Sequence, residues 1–282
     1  MDLTSISAIK PLMERHGFDF TKSLGQNFLI NADVPRRIAD EGVSLDEECD
    51  VIEIGAGIGC LTKELALRAR RVITFEIDKK LIPVLGETMA EFENVTVLNQ
   101  DIMKADLKKT VEEYGLKNLH SCANLPYYIT TPVIMKLLES ELDIKRITVM
   151  IQKEVVDRFC AEPNTSDYGA ITPAALYYAT PKKLFNVAAA NFMPRPKVTS
   201  TVMSFTPHQP PVDGDKDTLF RVIKAAFAMR RKTLANNLCQ EFPISKADAG
   251  ELLASLGYSP TVRGEALSLE DYSNIAKAIL TA

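Results

Sequence analysis

Val51-Ile52-Glu53-Ile54-Gly55-Ala56-Gly57-Ile58-Gly59 is the stretch whose reading decides the fold. The apolar run over 49–54 predicts a strand buried on both faces, as in a parallel sheet. It ends in glycines, and residues 61–70 then predict a helix with Leu61, Leu65 and Ala66 on one face. Strand, glycine turn and helix together open a nucleotide-binding α/β unit. Glycine suits the turn because it tolerates unusual φ/ψ and lets the backbone approach a ligand closely. A dinucleotide fingerprint would read G-x-G-x-x-G and seat a pyrophosphate at the helix N-terminus. Here the glycines are packed as G-x-G-x-G, with Glu53 two residues ahead of the first. That spacing disfavours a dehydrogenase. The plain alternative is a glycine turn with a purely structural task.

A chain of 282 residues is expected to form one large or two modest domains. Apolar content of 46% and charged content of 25% are ordinary for a soluble globular protein. No apolar run approaches the roughly 20 residues of a membrane span. Residues 1–17 lack the apolar core of a signal peptide. The five cysteines are scattered without a C-x-x-C, and the three histidines lie far apart. Neither a disulfide framework nor a metal site is expected, and the cytoplasm is the natural compartment. A net charge of −4 argues on average against a nucleic-acid partner. The distribution argues otherwise. No acid occurs over 182–206, which holds Arg195 and Lys197, nor over 218–240, which holds Arg221, Lys224, Arg230, Arg231 and Lys232. Such faces can bind phosphates; a merely solvated face is the alternative.

The packed glycines behind Glu53 resemble motif I of the class I methyltransferases, which bind S-adenosylmethionine, a cofactor without phosphate. Ahead of it, residues 4–16 predict an amphipathic helix, and a polar loop over 22–29 precedes a helix over 31–41 with Asn31 as cap. A second strand over 71–77 carries Glu76, 21 positions after Gly55. An acid at about that spacing accepts hydrogen bonds from ribose hydroxyls, although acids are also common at solvated strand ends. After a helix over 79–92, a third strand over 94–98 is followed by Asp101, placed where a carboxylate can accept from an adenine amino group.

The fourth strand, over 119–123, runs into Asn124-Leu125-Pro126-Tyr127-Tyr128. An exocyclic adenine amine is a poor nucleophile because its lone pair is delocalised into the ring. A catalyst must accept hydrogen bonds from that amine and aim the lone pair. The Asn124 side-chain oxygen and the Leu125 carbonyl suit this task, Pro126 stiffens the turn, and the Tyr127 ring offers a stacking face for a flipped base. The plain alternative is a proline turn with two core tyrosines. Beyond it come a helix over 131–139, a strand over 146–151, a short helix over 154–160 and a closing antiparallel pair over 182–187 and 198–205. Between that pair, Phe192 is placed to supply a second stacking face, and Arg195 and Lys197 to hold phosphates; a rigid proline connector is the other reading. Residues 208–217 form a linker rich in Pro, Asp and Gly. Helices follow over 218–228, 231–241, 246–255 and 269–280, with Ser245 and Ser268 as N-caps. Arg230-Arg231-Lys232 falls near the first joint, with no acid close in sequence.

Together these motifs resemble the ribosomal RNA adenine dimethyltransferase family over essentially the whole chain. They are G-Q-N-F-L at 25–29, E-I-G-A-G-I-G at 53–59, E-I-D at 76–78, Asp101, N-L-P-Y-Y at 124–128, F-M-P-R-P-K-V at 192–198 and F-A-M-R-R-K-T-L at 227–234. The resemblance implies an α/β fold, a Rossmann-like class I methyltransferase sheet, with a small C-terminal all-helical domain. It implies a catalytic domain over 1–207 and an RNA-binding domain over 208–282. Gln26, Asn27, Leu29, Gly55, Gly57, Glu76, Asp101, Ile102 and Asn124 would contact S-adenosylmethionine. Asn124, Leu125, Pro126, Tyr127 and Phe192 would form the target-base pocket, and Arg195, Lys197, Arg230, Arg231 and Lys232 would meet RNA. Where many adenine methyltransferases carry a second proline this chain has Leu125, and a backbone carbonyl role survives that change. The implied reaction is N6-dimethylation of two adjacent adenosines near the 3′ end of 16S rRNA, in the small ribosomal subunit or its precursor, with a role in ribosome biogenesis. A metal-free monomer with no membrane partner is expected. A sister enzyme of large-subunit rRNA would share the N-terminal motifs, but the 227–234 motif and the helical tail favour the small subunit. A non-catalytic assembly factor would have no need of Asn124 and Tyr127.

Overall fold

The computed structural model describes residues 1–17, 27–43 and 48–281. They fall into two compact units, Met1–Val156 with Lys182–Pro207, and Asp157–Pro181 with His208–Ala282. In chain order the first unit contains α1 (Ile6–Arg15), β1 (Phe28–Leu29), α2 (Asp33–Gly42), β2 (Asp50–Ile54), α3 (Cys60–Ala66) and β3 (Arg71–Phe75). It continues with α4 (Ile82–Thr88), β4 (Val95–Leu98), α5 (Leu107–Tyr114), β5 (Leu119–Asn124), α6 (Thr130–Leu138) and β6 (Ile144–Gln152). Helix α7 (Lys153–Phe159) leads out to α8 (Ile171–Tyr178); β7 (Ala179–Val187) leads back to β8 (Phe192–Met193) and β9 (Ser200–Pro207).

Seven strands form one sheet in the order β4-β3-β2-β5-β6-β9-β7, parallel from β4 through β6, with β9 antiparallel to β6. The chain builds outward from β2 to β4, then crosses back to lay β5 on the other side of β2. That reversal opens a crevice at the carboxyl ends of β2 and β5, the usual ligand position in open α/β sheets. All five residues of β2 are buried, as its apolar run predicts. Strand β9 does not alternate between buried and exposed positions. Its first six residues are all buried, because β9 lies between β6 and β7. Its polar Thr201 is satisfied there by donating to Asn186 Oδ1 at 2.8 Å.

Helix α3 ends at Ala66 rather than 70, because the chain turns to bring the Arg70 guanidinium onto the fully buried Asp50 carboxylate. Asp50 also accepts from the Lys117 N–H at 2.6 Å. Helix α5 escaped the sequence reading. Asp106 caps it through the Lys109 N–H, and it buries only Leu107 and Thr110, a weak apolar signal. A two-stranded sheet also escaped it: β1 and β8 pair antiparallel, Phe28 with Met193 and Leu29 with Phe192.

The second unit packs α8, α9 (Lys216–Ala228), α10 (Leu234–Glu241), α11 (Lys246–Ser255) and α12 (Leu269–Thr281) around Val222, Leu238, Leu253, Tyr272 and Ile275. Ser245 and Asp248 form a complete capping box on α11, and Ser268 and Asp271 bond reciprocally at α12. The expected boundary at 207 needs correction for 157–181, which the contacts assign to the helical unit. Tyr168 donates to the Leu267 carbonyl at 2.6 Å, and Tyr177 meets Phe220 edge-on at 5.3 Å between centroids. Among the described residues no helix is long and apolar enough to cross a membrane.

Gly264 shows how tightly this unit is packed. A Cβ there would stand 2.4 Å from the Ala226 carbonyl oxygen, and backbone cannot swing aside as a side chain can. Gly264→Ala should therefore cost about 1–3 kcal/mol of overpacking. Urea unfolding would register the loss, and an unchanged midpoint would mean that the backbones separate there at no cost.

Candidate active site

The crevice is a cleft in the first unit. It is lined by residues 27–29, the turn after β2, the carboxyl end of β3, residues 100–102, residues 124–129 and Phe192. Every cofactor or base-pocket position expected from the sequence lines it except Gln26, which lies outside the described residues. Gly55 and Gly57 turn with φ of +78° and +59°. A Cβ at either would meet nothing closer than 3.8 Å, so their small size leaves room for a ligand rather than for protein. Gly59 has a different task, since a Cβ there would press to 2.7 Å on Met89 of the layer below.

Glu76 is buried, and burial pushes its carboxyl above the ordinary range. Its two oxygens accept from the Gly57 N–H at 2.9 Å and the Asp78 N–H at 2.8 Å. Each carboxylate oxygen keeps a lone pair for a diol. Asn99 braces the same loop by donating to the Glu76 carbonyl at 2.8 Å. One Asp101 oxygen accepts from the Met103 N–H at 2.9 Å. The donor set fits S-adenosylmethionine: a carboxylate for ribose hydroxyls, a second for an amino group, apolar walls for a purine, and a glycine turn open to close approach.

Asn124 is the last residue of β5, its backbone locked opposite Met150 of β6. The Leu125 N–H continues that pairing by donating to the Met150 carbonyl at 3.2 Å. The carbonyls of Pro126 and Tyr127 are taken up by the Ile129 N–H and the Thr130 hydroxyl. Among the described residues, the Asn124 side chain and the Leu125 carbonyl have no such partner, which leaves two acceptors at the cleft. Tyr127 lines the same cleft, and its hydroxyl is fixed on Ser200 Oγ at 2.8 Å. Phe192 stands in the cleft wall through the β1–β8 pair, anchored further by the Ile30 N–H on the Asn191 carbonyl at 2.9 Å. Phe28, which lines the cleft beside Asn27, was missed by the sequence reading, as were Ser200 and Asn99.

The expected RNA contacts are divided. Arg195 and Lys197 are exposed in the first unit, and Arg230, Arg231 and Lys232 in the second. Arg230 is not without an acid: its guanidinium pairs with Glu265 at 3.4 Å and donates to the Ser166 and Tyr168 carbonyls. The acid lies 35 positions away in sequence, beyond the reach of any local pattern. Arg231 and Lys232 form no ion pair among the described residues and occupy the turn ahead of α10, which starts three residues later than expected.

This sheet order and cleft define a Rossmann-like methyltransferase. The family model described as ribosomal RNA adenine dimethylase matches residues 17–279. The ribosomal RNA small subunit methyltransferase A of Geobacillus kaustophilus is 42% identical over 99% of this chain and 97% of its own. In structure, a dimethyladenosine transferase from Plasmodium falciparum superposes with a TM-score of 0.70 at 23% identity, over 88% of this chain and 95% of that one. The 23S rRNA methyltransferase ErmE does so with a TM-score of 0.67 at 24% identity, over 90% and 99%. The chain belongs to the ribosomal RNA adenine dimethylase family.

Glu53 does not line the cleft. It is buried beneath the turn, where the Thr62 hydroxyl of α3 donates to it at 2.6 Å, and it pairs across the sheet with Thr74. Burial pushes its carboxyl up to about 7, against the Thr62 bond and with a smaller contribution from Glu76. Because the folded value is raised, the unfolded chain ionises first as pH climbs, and folding is penalised progressively from about 4.5 to about 7. The penalty is on the order of 3 kcal/mol. Glu53→Gln removes it. Between pH 5 and pH 8 the variant should gain stability relative to wild type by that order in chemical denaturation, and a flat difference would exclude a neutral buried Glu53.

Proposed function

We propose that the protein methylates the N6 amine of adenosine in small-subunit ribosomal RNA, twice on each of two adjacent residues near the 3′ end, using S-adenosylmethionine. The observation that carries this reading is the pair of free acceptors at Asn124 and Leu125, in a cleft shared with Glu76 and Asp101. The small subunit is favoured over the large by the 42% identity to a small-subunit methyltransferase across 99% of the chain. The fold alone does not separate the two, since ErmE shares it.

Bound in the cleft, the cofactor would supply an electrophilic sulfonium methyl. Glu76 would hold its ribose, Asp101 and Ile102 its adenine end, and Asn27, Leu29, Gly55 and Gly57 would close around it. The chain's own contribution is orientation. The Asn124 side-chain oxygen and the Leu125 carbonyl accept from the target amine and direct its lone pair, while Tyr127 and Phe192 stack the extruded base. The reaction converts a neutral amine to a protonated one, and both acceptors favour the positive nitrogen as it forms. The proton then leaves to water. Holding the reactants in line removes much of the barrier without a side-chain base.

The test mixes purified protein, radiolabelled S-adenosylmethionine and small ribosomal subunits lacking the modification, followed by RNA digestion. Dimethyladenosine at two adjacent 3′-terminal positions is expected, and label confined to large-subunit RNA would overturn the reading. Asn124→Ala should abolish transfer while much of the cofactor affinity remains; unchanged turnover would remove Asn124 from its role.

Arg231 and Lys232 are the cations of the second unit proposed to meet RNA phosphate, with Arg230 holding the loop that presents them. Changing both to Ala should weaken RNA binding and reduce the slope of log affinity against log salt by about 1.5. An unaltered slope would show that neither touches phosphate.

A further inference from the structure

Tyr128 is the only phenylalanine or tyrosine among the described residues that is exposed, at 63%. It nonetheless lines the cleft, at its rim, one residue beyond the Tyr127 ring that Ser200 holds in place. No partner among the described residues takes its hydroxyl. The apolar Ile77, 51% exposed, lines the same cleft. Lys136 adds a cation to the loop after β4, donating to the Met103 carbonyl at 3.2 Å. A tyrosine ring exposed at the edge of this cleft has a face to offer, and among the described residues nothing covers it.

From this arrangement we propose that Tyr128 is the stacking platform for the nucleotide adjacent to the target adenosine in the bound RNA strand. The inference rests on the methyl-transfer reading above. A base drawn into the cleft leaves its neighbour in the strand with one face unstacked, and the exposed ring beside the cleft replaces the lost stack. Stacking is tolerant of sequence, because every base has a π-face. When each of two adjacent adenosines is the target in turn, one ring therefore serves whichever nucleotide lies next to the pocket. Tyr128 thus contributes to RNA affinity and register, while Tyr127 holds the reacting base.

The full chain is assayed on small subunits lacking the modification, at saturating cofactor, as wild type and as Tyr128→Ala, Tyr128→Leu and Tyr128→Phe. The Ala and Leu variants should raise KM for subunits roughly tenfold, with the effect on KM rather than kcat, and Phe should restore it by returning the ring. Cofactor Kd, measured by calorimetry without RNA, should not move. An unchanged KM in the Ala variant, rescue by Leu equal to that by Phe, or a weakened cofactor Kd would each overturn the platform. A wild-type chain that transfers no methyl would instead overturn the methyl-transfer reading beneath it.

Discussion

The site depends on the Glu76 carboxylate. By accepting from the N–H groups of Gly57 and Asp78, it ties the turn after β2 to the loop after β3. Charge-assisted bonds of this kind are the strong ones, and here they work at the point where the sheet reverses its strand order. Without them two glycine-rich or irregular segments would have to hold their shape by backbone preference alone. Beneath the same turn Glu53 grips α3 through Thr62, so the glycine motif is held from both sides by carboxylates with different tasks. One faces the cleft and keeps lone pairs for a ligand. The other never sees it.

The N-L-P-Y turn follows a complementary logic. Its backbone is satisfied wherever satisfaction fixes the shape, through Met150, Ile129 and Thr130. Among the acceptors left open are the Asn124 side chain and the Leu125 carbonyl, the two that the proposed amine would use. Buried backbone groups are otherwise almost always paired, so an unpaired carbonyl on the buried Leu125 is an acceptor kept available at the cleft. Strand β5 delivers Asn124, and β9 delivers the Ser200 that pins Tyr127. The sheet thus positions both residues at the cleft.

Much of this was legible in the chain. Strong periodicity and caps located the parallel strands and the C-terminal helices, and α11 lies where Ser245 and the apolar spacing put it. Motif residues converged on one cleft because strand ends of a parallel sheet converge, whatever their sequence separation. Contacts made by residues with no local signature stayed hidden. Ser200 is merely a polar residue at a strand start, Glu265 is an acid far from Arg230, and β1 and β8 are two residues each, too short for any period to register. The same limit explains 157–181. Its affiliation with the helical unit is written in long-range packing by Tyr168 and Tyr177, which no local window contains.

The β1–β8 ribbon joins Leu29 to Phe192 across more than half the chain, and Asn31 donates to the Asn191 side chain at 2.9 Å beside it. Leu29 stands on the side of the cleft assigned to the cofactor, Phe192 on the side assigned to the base. Because the two strands are paired with each other, a ligand that ordered one would order the other. Ordering would then be a quantity both proposed ligands draw on, and whichever bound first would lighten the entropy left to the second. Linkage makes that help mutual and equal in size. A ribbon of four residues would thereby make the two proposed subsites a cooperative pair.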